Sequence, residues 1–166
     1  DYKNPREVGA DRIVNALAAR ERVGSPCIVL DCGTATTFDV VSPEGHYAGG
    51  LILPGVEIAL EALSQRAAKL PEVSIRRTDA LIARDTVSSI QAGSFWGTVE
   101  ALRGLIRRLR AEPGMNGAPV VATGGLSSLF VPELPEVDLH APWLTLDGLY
   151  LLARRHFGGP ARAKSG

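Results

Sequence analysis

The chain has 166 residues, 45% of them hydrophobic, which is enough for one domain with a substantial core. Its 18 basic and 18 acidic residues cancel, so it lacks the basic surplus of a general nucleic-acid binder. No apolar run is long enough to span a bilayer, no signal peptide is visible, and no Cys/His pattern has metal-ligand spacing. The short clusters Arg76-Arg77, Arg107-Arg108 and Arg154-Arg155 read as solvated helix faces or ends. Cys27 and Cys32 lie on and just after one apolar segment. Five residues of strand span roughly 16 Å, whereas a disulfide needs Cα atoms within about 7 Å. Both thiols are therefore expected to be reduced, as in a cytoplasmic protein.

Residues 1–7 look irregular, since Pro5 pushes Asn4 out of helical geometry. From Val8 to Arg22 the pattern turns helical, with Val8, Ile13, Val14, Leu17 and Ala18 close to one face. Asp11 and Arg12 fall in its first turn, where an acidic residue also simply suits the helix dipole. Gly24-Ser25-Pro26 ends the helix. Residues 27–31 and 37–42 then form two strands, and a third runs from His46 to Leu53. Its paired glycines, Gly49-Gly50, predict a bulge or the close approach of another backbone. Pro54-Gly55 breaks the sheet, and an amphipathic helix follows to about Lys69.

Residues 70–85 read as loop with a short strand at Val73-Ser74-Ile75. A long helix spans about 87–112, with Gly93 and Gly97 four apart on one face, a spacing that predicts tight packing or a subunit interface. Pro119–Ala122 is a short buried strand running into Thr123-Gly124-Gly125, where a ligand can approach the backbone. Val137-Asp138-Leu139 suits another short strand. Leu146–His156 is a last amphipathic helix with Thr145 as its cap, and 158–166 has the composition of a disordered tail. Three consecutive strands followed by alternating helices and strands predict a mixed α/β sheet flanked by helices.

The stretch that stands out is Asp31-Cys32-Gly33-Thr34-Ala35-Thr36-Thr37, between the first two strands. Backbone N–H groups and hydroxyls in a turn this small and polar suit an anion, phosphate first. A Thr-rich hairpin is the plain alternative, although a two-residue hairpin turn prefers Asn-Gly or Asp-Gly.

Several segments together carry a resemblance. They are Tyr2, Asn4-Pro5, Val8-Gly9-Ala10-Asp11-Arg12, the turn Asp31–Thr37, Gly49-Gly50 with Pro54-Gly55, Asp85-Thr86, Gly93, Thr123-Gly124-Gly125 and Leu144–Leu149. Their order resembles that of type III pantothenate kinases from Tyr2 to about Ala153. The resemblance implies a ribonuclease H-like (actin-like ATPase) fold of the acetate and sugar kinase, Hsp70 and actin superfamily. Residues 1–157 would form the C-terminal domain of a two-domain kinase. The implied activity is ATP-dependent phosphorylation of pantothenate to 4'-phosphopantothenate, the first step of coenzyme A biosynthesis. Asp11 would be the general base. Tyr2, Gly9, Ala10, Asp11, Arg12 and Thr86 would bind pantothenate. Gly33, Thr34 and Gly124 would bind ATP, which brings Mg2+, and Asp31 would bind a monovalent cation, K+ or NH4+. The family also implies a cytoplasmic homodimer, here through the long helix 87–112.

These roles suit phosphoryl transfer, which is mostly positioning and charge neutralisation. A carboxylate within reach of the acceptor hydroxyl can take its proton, and Arg12 can pair with the pantothenate carboxylate. Two departures stand out. Cys32 occupies a position where the family commonly has Phe, which predicts local repacking. The family's first domain opens with an Asp-x-Gly-Asn-Thr phosphate loop that is absent here, so this chain alone is expected to bind ATP weakly and not to turn over. Two other functions fit the same fold. One is a non-enzymatic accessory or transcription-regulatory relative, against which intact Asp11, Arg12, Asp31 and Thr34 argue. The other is a sugar kinase, against which the Gly-Ala-Asp-Arg run argues.

Overall fold

A computed structural model of the chain describes residues 7–157. Tyr2, the Asn4-Pro5 pair and the 158–166 segment lie outside the described residues. Five strands form one sheet: β1 (Cys27–Cys32), β2 (Ala35–Val41), β3 (Tyr47–Pro54), β4 (Val120–Thr123) and β5 (Leu139–His140). Their order is β3-β2-β1-β4-β5. β1, β2 and β3 pair antiparallel, while β4 runs parallel to both β1 and β5. The helices are α1 (Ala10–Val23), α2 (Val56–Arg66), α3 (Thr86–Arg110), the short α4 (Ser127–Phe130) and α5 (Leu144–Phe157). This is the mixed, helix-flanked sheet that the sequence predicts.

β1 lies at the centre and is covered on both sides, which is why it is apolar without alternation. The period of two sends Ile28, Leu30 and Cys32 to one face, with Phe38 of β2. There they pack against Val56 and Leu60 of α2, Phe95, Val99, Leu102 and Ile106 of α3, and Phe130 of α4. Cys27, Val29 and Val41 point the other way, onto Ala16, Ala18 and Ala19 of α1 and Leu144 of α5. Both cysteines are free and buried; burial pushes the Cys27 thiol up to about 11 and the Cys32 thiol up to about 12. Cys32 joins the apolar core.

Element ends shift by a few residues from the sequence expectations, and three differences have physical causes. Residues 73–75 are not a strand: the Gln91 side chain donates to the Ser74 carbonyl at 3.1 Å, replacing a ladder bond, while Val73 turns into the core. Thr145 is not a cap, because α5 starts one residue earlier and the Thr145 hydroxyl donates to Asn15 of α1. Gly93 and Gly97 are not packed tightly. Among the described residues a Cβ at either would meet nothing within 4 Å, and both line an apolar groove of about 320 Å3 with Leu53, Ala59 and Ala101. The α3 cap is Asp85, whose carboxylate accepts the Ser88 N–H at 2.9 Å. Among the described residues no helix is long and apolar enough to cross a membrane.

Candidate functional site

The buried stripe of α1 is mostly alanine, which lets the helix lie close to the sheet, but it also holds Arg12 and Asn15. Three residues apart, they share one helix face. The strands below answer them, because Asp31, Thr37 and Asp39 occupy the α1 side of β1 and β2. Arg12 Nε donates to Asp39 Oδ1 at 2.7 Å, and its Nη2 donates to the Phe38 carbonyl at 3.2 Å. The Tyr47 hydroxyl donates to the same Asp39 oxygen at 2.7 Å, and its ring lies 6.0 Å from the guanidinium. Asp39 is fully buried. Burial pushes its carboxyl up, against the pull of Tyr47 and Arg12.

The paired glycines of β3 make room for this ion pair. Gly50 lies opposite Asp39, and a Cβ there would run into the Phe38 carbonyl and stand 3.0 Å from Arg12 Nη2. Gly49 takes φ 110°, and the β2–β3 register shifts between Val40 and Val41. Both the bulge and the close backbone approach expected from the sequence are present.

One turn further along α1, the Asn15 amide donates to Asp31 Oδ2 at 2.9 Å and accepts the Thr145 hydroxyl at 2.7 Å. α5 reaches this position because Gly148 rests against the Val14 carbonyl, where a side chain would clash. The two Asp31 oxygens thus have different surroundings. Oδ2 is held by Asn15, whereas Oδ1 faces Gly33 and Gly124, filling the space a Gly124 side chain would need. Burial raises the Asp31 carboxyl above its ordinary value of 3.8; the Asn15 bond opposes this, and the charges of Asp11 and Asp39 add to it.

The β1–β2 turn is clamped by its neighbours. The Gly55 N–H donates to the Thr34 carbonyl at 3.1 Å, and the Leu126 N–H to the Cys32 carbonyl at 3.0 Å. Gly33 differs from the sequence expectation in one respect. Its N–H is spent on the Ala35 carbonyl at 3.1 Å, so it shapes the turn and is not an open donor. Thr34 is exposed at the tip. Gly124 adopts φ 93°, which favours glycine, and packs onto Asp31 and Cys32. Ser127 supports that loop: its hydroxyl donates to the Gly124 carbonyl at 2.6 Å and lies 2.9 Å from His140 Nε2.

Asp11 is exposed in the first turn of α1, and its carboxylate folds back over Gly9, where a Cβ would stand 2.5 Å from Asp11 Oδ1. Gly9, Ala10, Asp11, Arg12, Asp31, Gly33, Thr34 and Gly124 therefore belong to one contiguous region built on α1, β1, β2 and the end of β4. Thr86 does not join them. It begins α3 on the opposite face of the sheet, in a depression shared with Leu70, Ala83 and Ile90. Asn15, Asp39, Tyr47 and Thr145 are the members that sequence reasoning missed. The available signal was a polar residue inside an otherwise apolar period, as with Asn15 on α1 and Asp39 between Phe38 and Val40.

The region combines an exposed carboxylate, a half-buried carboxylate with one oxygen unclaimed by Asn15, an exposed hydroxyl and a loop that brings backbone close. Among the described residues no three His, Cys, Asp or Glu side chains converge to chelate a metal. A single carboxylate oxygen is a hard, low-charge donor, which suits a monovalent cation better than a chelated divalent one.

Comparison with known proteins bears on the family and the fold. The family model for type III pantothenate kinase matches residues 1–108. The type III pantothenate kinase of Moorella thermoacetica is 51% identical over 155 residues, covering 93% of this chain and 61% of that protein. That of Gluconobacter oxydans is 52% identical over 158 residues, covering 95% and 58%. The chain thus spans about three fifths of the length of these curated relatives. Among solved structures, a conserved Baf-family protein from Campylobacter jejuni, described as a transcriptional activator, superimposes with a TM-score of 0.66 at 20% identity. The match covers 93% of this chain and 68% of that one, and it bears on the fold alone. With the family model matching well over half of its residues, the chain belongs to the type III pantothenate kinase family.

Proposed function

We propose that these residues form part of the site of an ATP-dependent pantothenate kinase. The observation that carries this reading is the coupling of Asp11 to the β1–β2 turn through Arg12 and Asn15, which anchor the same helix to Asp39 and Asp31. In the reaction, the Asp11 carboxylate takes the proton of the pantothenate hydroxyl as its oxygen bonds to the γ-phosphorus of ATP. The bond to the bridging oxygen breaks and ADP leaves. Gly9 and Ala10 line the pantothenate side; Arg12 stands behind them, its buried guanidinium engaged by Asp39 and the Phe38 carbonyl and so not turned to the pantothenate carboxylate as the sequence suggests. Thr34 and Gly124 line the phosphate side, with Mg2+ accompanying ATP. Asp31 Oδ1 would hold K+ or NH4+, and the cation's charge would offset the repulsion from Asp11 and Asp39. Tyr2 is proposed as a further pantothenate contact from the family resemblance.

Thr86 belongs to the same site only if another copy of the chain supplies it. Its position across the sheet from Asp11, together with the open Gly93/Gly97 groove on α3, supports a homodimer through that helix. The reduced, buried cysteines suit a cytoplasmic protein. The relatives are longer, and a complete phosphate enclosure is proposed to need a second lobe with its own phosphate loop.

The test is a ligand panel on the 166-residue chain. Ligand-observed NMR should detect pantothenate and not N-acetyl amino sugars, and a coupled ADP-release assay with ATP, Mg2+ and K+ should show little turnover. Binding of neither pantothenate nor sugar would favour a non-enzymatic role. Robust turnover would show that these residues suffice without a second lobe.

A further inference from the structure

Asp39 is fully buried, so it touches no ligand, yet it carries three side-chain contacts that converge on one purpose. Arg12 Nε reaches it at 2.7 Å, the Tyr47 hydroxyl at 2.7 Å and the Thr37 hydroxyl at 3.4 Å. The helix that it anchors has Gly9 as its N-cap, which has no side chain to bond the first N–H groups, so among the described residues the turn bearing Asp11 has no side-chain cap. Arg12, the residue after Asp11, supplies support from below through Asp39 and the Phe38 carbonyl. Gly50 keeps the path of the guanidinium clear, and Tyr47 covers it. A buried carboxylate held only to pin an arginine would be a costly way to hold a helix if an apolar contact served equally well. The ion pair instead fixes a direction, because the Arg12 fork can meet Asp39 and Phe38 in one orientation only.

We propose that Asp39 is a positioning residue: through Arg12 it fixes the first turn of α1 and hence the place of the Asp11 carboxylate. The anchoring can be measured without ligand; its consequence for pantothenate rests on the function proposed above.

The experiment uses the 166-residue chain labelled with 15N, comparing wild type, Asp39→Asn and Tyr47→Phe. In wild type the Arg12 Nε–H should exchange slowly. Asp39→Asn should speed that exchange, and that of the Arg12 and Ile13 amides, by about tenfold or more, the factor expected for losing a hydrogen bond to a charged group. The β1 and β4 amides should stay unchanged, which separates local positioning from general loss of structure. Tyr47→Phe removes one donor and leaves the ion pair, so the same signals should move in the same direction by a smaller factor. It also serves as the test if Asp39→Asn does not fold. Pantothenate affinity, read from shift titrations, should fall about tenfold in Asp39→Asn and less in Tyr47→Phe. Unchanged exchange at Arg12 and Ile13 in the folded variants would overturn the positioning role. Exchange that changes as expected, with no form binding pantothenate, would instead overturn the proposed function.

Discussion

The two faces of the sheet are built by different rules. Under α2, α3 and α4, contact is apolar side chain on apolar side chain: Phe95 stacks 5.7 Å from Phe130 and meets Trp96 edge-on at 5.0 Å. Under α1, alanines share the contact with buried polar groups that meet specific partners, above all Arg12 with Asp39 and Asn15 with Asp31. Hydrophobic contact is non-directional and tolerates small slips, whereas an ion pair and an amide bond fix position and angle. The face that carries Asp11 and Asp31 uses the directional contacts, and the other supplies bulk stability.

Substitutions should separate the two faces. Phe95→Ala, on the apolar side, should cost about 3–5 kcal/mol in urea unfolding, while the Arg12 and Asn15 side-chain signals of the folded fraction stay in place. Asn15→Ala leaves Asp31 Oδ2 and the Thr145 hydroxyl without their mutual partner and should cost roughly 1–3 kcal/mol, with local changes at the β1–β2 turn that Phe95→Ala does not produce.

Asp31→Asn should act in the opposite direction. The folded-state value of Asp31 lies above its ordinary 3.8, so the folded protein holds that proton more tightly than the unfolded chain. Its contribution to stability is greatest at low pH and falls as pH rises from 3.8 through the folded value, leaving the full penalty at neutral pH. The variant should therefore melt higher than wild type at pH 7, and the difference should vanish in acid, below the ordinary Asp range. The smallest effect belongs to Asp147→Ala, which breaks an exposed pair with Arg22 joining α5 to α1; thermal melting should register no more than about 1 kcal/mol.

Much of this arrangement is legible in the residues. The apolar run of β1, the polar turn at Asp31–Thr37, the bulge at Gly49-Gly50 and the helix carrying Asp11 all announce themselves by local pattern. What is not legible is pairing across distance. Nothing near Asp39 in the sequence reveals that Arg12, 27 positions earlier, will neutralise it, and nothing near Thr145 reveals Asn15. Gly93 and Gly97 show a further limit: small residues permit close packing, but only the fold shows that none of the described residues fills the space. Thr86 shows a third, because motif order along the chain says nothing about which sheet face a helix covers.

The central claim, that the α1 face is the substrate face, is tested most directly by titrating pantothenate into the 15N-labelled chain and following every backbone amide. Shifts should appear at Gly9–Arg12 and saturate together, with smaller changes around Asp31–Thr34. Shifts confined to the groove of Leu53, Ala59, Gly93 and Gly97, or none at Gly9–Arg12 at saturating pantothenate, would contradict the claim.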